Sequence, residues 1–143
     1  MEVVINVCFG GFGLSILAER EYLKRKGKKA FFYKQTKYDF KDVESEYSRI
    51  DNDDEDSFLT YTFTKDHGKT FSKFPDGDKS GYFYDHDIAR DDKDLIAVVK
   101  KLCEKASGQY AKLSIVEVPD GTKWEISEYD GNESVEEAHR SWR

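Results

Sequence analysis

The sequence predicts an α+β fold: one mixed, mostly antiparallel sheet, two longer helices on a face of it, and a short helix at the C-terminus. Three observations carry this. Apolar residues recur at helical spacing in two stretches, residues 15–26 and 92–106. Apolar runs rich in aromatic and β-branched residues mark strands elsewhere. The later runs are separated by short turns such as Pro119-Asp120-Gly121 and Asp130-Gly131, which are hairpin-type connections.

The elements follow in order. Residues 2–7 are mostly apolar with little alternation, so the first strand is central. A glycine hinge, Gly10-Gly11-Phe12-Gly13, leads into helix 15–26, where Leu14, Leu17, Ala18 and Tyr22 share a face. Lys24, Arg25 and Lys26 suit the negative end of that helix, and Gly27 follows as a C′ residue. Residues 30–34 form the second strand, which the helix allows to run parallel to the first through a right-handed crossover. Residues 58–64 alternate in strand fashion, and residues 70–74 pair back as a hairpin closed by Pro75-Asp76-Gly77-Asp78. Asp91 caps the second helix. Its stripe of Leu95, Val98, Val99, Leu102 and Ala106 runs at i, i+3, i+4, i+7 and i+11. Residues 112–118 are a strand, residues 124–129 return antiparallel to it, and residues 134–142 read as the final helix.

At 143 residues the chain is a single domain, 1–143, able to bury a core without disulfide or metal staples. Asp and Glu outnumber Lys and Arg by 29 to 23, for a net charge of −6. Duplex nucleic acid is therefore disfavoured as a partner, since it demands a basic face. Residues 39–56 are strongly acidic, and their charge predicts a mobile, solvated loop. Cys8 and Cys103 form no framework and read as reduced core thiols. With no signal peptide and no run of transmembrane length, a cytoplasmic protein without membrane contact is expected.

The hinge is the first candidate for chemistry. Free backbone N–H groups at a strand-glycine-helix junction can seat a phosphate or carboxylate, with the Ser15 hydroxyl beside them. It is neither a Walker loop nor a full dinucleotide fingerprint, because Ile16 stands at the third glycine position. The alternative is a sharp turn in which glycine supplies only positive φ. The second candidate is Tyr84 with Arg90, just before a helix N-terminus. Arg90 can fork onto an anion or pair with neighbouring acids. The third is the tail. His139, Arg140 and Trp142 can clamp an anionic aromatic ligand or dock a subunit. No cofactor or metal is expected, because His67, His86 and His139 lack ligand spacing. No nucleophile–base arrangement emerges.

Three stretches, VVINVCFGGFGLS at the start, YDHDIARDDKDLIAVVKKLCEKASG, and KLSIVEVPDGTKWEISEYDGNESVEEAHRSW at the end, resemble a family of small proteins common in bacteriophages and prophages. The resemblance covers both ends and not residues 34–80. The family has no assigned activity. The resemblance implies a phage accessory protein at work in the cytoplasm of an infected bacterium. In that setting the expected function is a sponge. It would bind a nucleotide-type immune signal, such as a cyclic oligonucleotide or a cyclic ADP-ribose derivative, and so counteract antiviral defence without chemistry. Gly10, Gly11, Phe12, Gly13, Ser15, Tyr84, Arg90, His139, Arg140 and Trp142 are its expected ligand contacts, completed in a homo-oligomer. An acidic inhibitor of a host protein is the alternative. An enzyme cleaving a nucleotide signal ranks third.

Overall fold

The computed structural model describes residues 1–37, 45–51, 60–75 and 77–138. In chain order the elements are β1 (Glu2–Asn6), α1 (Ile16–Arg25), β2 (Phe31–Lys37), β3 (Glu46–Ile50), β4 (Thr60–Phe63), β5 (Thr70–Phe71), β6 (Tyr82–Phe83), α2 (Lys93–Leu102), β7 (Leu113–Glu117), β8 (Trp124–Tyr129) and β9 (Asn132–Glu137). The fold is α+β, with two α-helices among the described residues and strands that pair antiparallel.

Among the described residues the expected single sheet is instead three. One is β1-β7, the second is β5-β3-β2-β4-β6, and the third is the hairpin β8-β9. β1 and β2 therefore do not run side by side, and α1 connects two sheets rather than crossing over within one. The partner of β8 is β9 and not β7. The expected C-terminal helix is also overturned, because Asn132–Glu137 is a strand. Asp130 and Gly131 both have positive φ, 50° and 86°, as a type I′ turn requires. That turn aligns Ile126 with Val135 across the hairpin, and their burial outweighs the helical propensity of Glu136, Glu137 and Ala138.

β1 is buried on both faces, which explains its continuous apolar run. Val4 packs with Leu113 and Ile115 under the helices, where Leu14, Leu23, Leu95, Val98 and Val99 form the main core. Val3 and Ile5 point the other way, onto Val118, Trp124, Ile126 and Val135. Each such Val, Ile or Leu removed from water contributes about 1.5–3 kcal/mol. The five-stranded sheet has its own packing. Phe32 and Ile50 meet Ile16 of α1 on one face. Tyr33, Tyr47 and Phe63 form an aromatic cluster on the other, closed by Phe71 and Phe74.

Caps account for the helix limits. The Ser15 side chain accepts from the Ala18 N–H at the start of α1, and Lys26 closes it before Gly27. At α2 the cap is Asp92, one residue later than expected, accepting from Asp94 and Leu95 N–H. Of the acidic stretch 39–56, residues 46–50 form β3, and residues 39–44 and 52–56 lie outside the described residues.

Cys103 is exposed, not a core thiol, and it adopts φ 53°, ψ −125° as α2 gives way to a 3-10 turn. That backbone region is strained for a residue bearing a β-carbon. Cys103→Gly is therefore expected to stabilise the fold by about 1 kcal/mol, read as a rise of a few degrees in the thermal midpoint. An unchanged or lower midpoint would show that the conformation carries no strain.

Candidate functional site

A cleft of about 380 Å³ lies between the glycine loop and the β4–β6 margin of the larger sheet. This volume falls within the range of small-molecule sites. Its first wall is the backbone of residues 10–13. Ile16 and Glu19 of α1 stand beside it, Thr60 and Thr62 of β4 and Tyr82 and Tyr84 around β6 face it, and residues 108–111 close one end.

Close backbone packing fixes the loop. A β-carbon on Gly10 would overlap the Tyr110 carbonyl, so only glycine lets the two chains approach. The Gly108 N–H donates to the Gly13 carbonyl at 2.9 Å. Below the loop, Asn6 is fully buried at the end of β1 and saturates its amide. Its Nδ2 donates to the Cys8 carbonyl (2.8 Å) and the Gly131 carbonyl (2.7 Å). Its Oδ1 accepts from the Lys112 N–H at 2.8 Å. One side chain thus ties together the glycine loop, the β8–β9 turn and the approach to β7.

Arg90 belongs to the same polar core. Its guanidinium forks onto Glu133, with Nη1 to Oε1 at 2.7 Å and Nη2 to Oε2 at 2.9 Å. It also lies 3.6 Å from the Phe12 ring centroid. Both partners are largely buried, and the Asn6 N–H donates to Glu133 as well (2.8 Å). Burial pushes the Glu133 carboxyl up, but the Arg90 fork and the Asn6 N–H outweigh it and hold the group below its usual range.

The helix start is occupied from within. The Leu14 N–H donates to Asp85 Oδ2 at 2.9 Å. The Ser15 N–H donates to the Ala106 carbonyl at 3.0 Å, and the Ser15 hydroxyl donates to the Lys105 carbonyl at 2.6 Å. A carboxylate of the chain itself thus sits where an external anion was expected.

The aromatic margin is ordered. Tyr84 and His86 stack with centroids 4.7 Å apart and planes 14° from parallel. Tyr82 continues the column, 6.4 Å from Tyr84 at 18°. Phe12 meets His86 edge-on at 5.8 Å. Burial raises the Tyr82 hydroxyl above its ordinary value, and Tyr61, Glu19 and Asp85 add to the rise, so Tyr82 stays a neutral donor.

Gly10, Gly11, Phe12, Gly13 and Tyr84 therefore come together on the cleft. Ser15 and Arg90 do not line it, and their polar atoms are engaged inside the fold. His139, Arg140 and Trp142 lie outside the described residues. Glu19, Asp85 and His86 were not among the expected contacts. The approach to the second helix, Tyr82 to Asp87, held the signal for two of them: rings two apart at Tyr82, Tyr84 and His86, with Asp85 between the last two. Among the described residues, no group of His, Cys, Asp and Glu could hold a metal ion, and no helix is long and apolar enough to cross a membrane. The chain matches no family model, no curated protein and no solved structure.

Proposed function

We propose that this protein binds a nucleotide-type small molecule in the cleft without transforming it, and that it acts by sequestering a host immune signal. The observation that carries the binding half is the column of Tyr82, Tyr84 and His86 along the cleft. Tyr82 and Tyr84 are 43% and 46% exposed, which leaves aromatic surface along the cleft for a base to pack against. The glycine loop opposite brings backbone within reach of a bound ligand. The immune-signal half rests on the resemblance of both chain ends to phage proteins. The proposal includes a homo-oligomer in which His139, Arg140 and Trp142 complete the site.

Stacking on an aromatic ring contributes about 1–3 kcal/mol per base. Tyr84→Ala is therefore expected to weaken nucleotide binding roughly ten- to hundredfold, with a cooperative melt retained and its midpoint lowered by only a few degrees as the stacks on Tyr82 and His86 are lost. The decisive experiment is mass spectrometry of small molecules released by heating protein recovered from infected, defence-active cells. A recovered intact nucleotide supports sequestration. A chemically altered one would instead mean an enzyme.

A second reading, direct binding of a host protein, is favoured by one feature. Phe9 and Tyr129 are 65% and 78% exposed and meet edge-on at 6.4 Å, an apolar pair of the kind that partners cover. Recovery of a host protein and no nucleotide from the same cells would establish it.

A further inference from the structure

Away from the cleft, which no residue of β8 or β9 lines, we infer that the free edge of β8 takes an extended, Lys- or Arg-bearing segment of a partner protein as an added strand. The register of the hairpin shows which backbone groups are on offer. The Ala138 N–H donates to the Lys123 carbonyl at 2.8 Å. In step with that pair, Glu125 with Glu136, Ser127 with Ser134, and Tyr129 with Asn132 exchange the inter-strand bonds. The N–H and C=O groups of Trp124, Ile126 and Glu128 therefore point away from β9. β8 pairs with no strand but β9, and among the described residues no hydrogen bond reaches these outward groups. β8 is six residues long, against two each in β5 and β6, which is enough to template another chain.

The side chains along the edge specify what the segment carries. On the outer face of the hairpin Glu125 stands directly opposite Glu136, and both are exposed. Like charges in that position destabilise a sheet. Among the described residues neither carboxylate has an ion pair. A cation on the added strand beside Glu125 relieves that repulsion. Four residues on, on the same face, the exposed Tyr129 ring offers itself to a second cation, with Phe9 edge-on to it. On the inner face Trp124 and Ile126 are half-buried at the rim of the cluster with Val3 and Ile5, so apolar residues set against them extend it. The charge also rules against a second copy of this chain adding edge to edge. From Lys123 to Asp130 the edge carries three acids and one lysine, so two such edges repel. The occupant is the host protein of the second reading above, on which this docking rests, with its docking segment specified by chemistry.

The test is an NMR titration of the full chain with the peptide Arg-Lys-Thr-Val-Arg-Val, acetylated and amidated. Laid antiparallel, it sets its two arginines against Tyr129 and Glu125 and its two valines against Ile126 and Trp124. Hydrogen exchange should slow at the Trp124, Ile126 and Glu128 amides, which β9 leaves open. N-methylation of the first valine removes its bond to the Ile126 carbonyl and should weaken binding about tenfold or more. This peptide tests strand addition without altering the protein. Glu125→Gln with Glu136→Gln should weaken binding about fivefold at low salt. Glu46→Gln with Glu104→Gln makes the same change in net charge at exposed sites elsewhere and should leave affinity within about twofold. No slowing at the three amides with millimolar peptide, equal binding of the N-methylated peptide, or equal loss in the two double variants would overturn the inference. A host protein recovered from infected cells would still uphold the second reading, so the two fail separately.

Discussion

Asn6→Ala should lower the stability of the fold by about 3–5 kcal/mol, a drop of roughly 10–20 °C in the thermal midpoint. Few exposed substitutions approach this. The change strips partners from the Cys8 and Gly131 carbonyls and from the Lys112 N–H. Each group left buried and unsatisfied costs about 1–3 kcal/mol. Asn6→Asp separates hydrogen bonding from packing. It has almost the same volume, yet it cannot donate to the two carbonyls, and it sets a charge beside Glu133, which already takes the Asn6 N–H. It should destabilise at least as much as the Ala variant. An Asp variant melting within about 2–3 °C of the parent, checked by calorimetry, would show that the amide network is dispensable.

Breaking the Arg90–Glu133 fork should cost a similar amount, about 3–5 kcal/mol for Glu133→Ala, because a buried guanidinium loses its partner. The pair also sets an acid limit. In the folded chain the Glu133 carboxyl lies below its usual range, despite the burial that opposes this. A group with a depressed folded value contributes stability that is complete above its unfolded value, about 4.3 for glutamate. That stability drains away as pH falls through the folded value. Melting midpoints should therefore hold near neutrality and fall below about pH 4.3. Glu133→Gln should start lower and fall less steeply over that range. Replacing both partners, Arg90→Met with Glu133→Leu, should recover much of the loss, since an apolar pair of similar volume avoids desolvating two charges. Parallel acid limbs in the parent and the Gln variant would dissociate Glu133 from the acid transition.

The helices are legible in the sequence because their information is local. The stripe from Leu95 to Ala106, the Ser15 cap and the glycine at 27 lie within a few residues of what they control. The sheets are less so. Residues 134–138, Ser-Val-Glu-Glu-Ala, favour a helix taken alone, and what overrides them is the Asp130-Gly131 turn, which delivers Val135 onto Ile126. The dipeptide marks a turn, but the cross-strand burial that its I′ geometry brings about lies beyond the reach of local propensity. The candidate site divides the same way. The glycine loop and Tyr84 stand out by composition and do line the cleft. Arg90 stands out equally, but its partner is 43 residues away, and no periodicity encodes a contact of that range. Asn6 does carry a signal. A side chain with four hydrogen-bonding positions inside an apolar strand must find partners on other segments, so its place in the sequence already marks it as a crossing point.

The margins of the larger sheet bear on how much of this protein a cell can hold. β5 and β6, its two outermost strands, are two residues long each. A longer open margin exposes a row of unpaired amides and carbonyls on which further chains can add. Two residues give too short a template, so crowded copies have little to line up on at these two margins. A protein that acts by stoichiometric capture has to match the concentration of what it captures. Under the sequestration proposed above, the stunted margins of the larger sheet withhold two of the places where crowded copies could join.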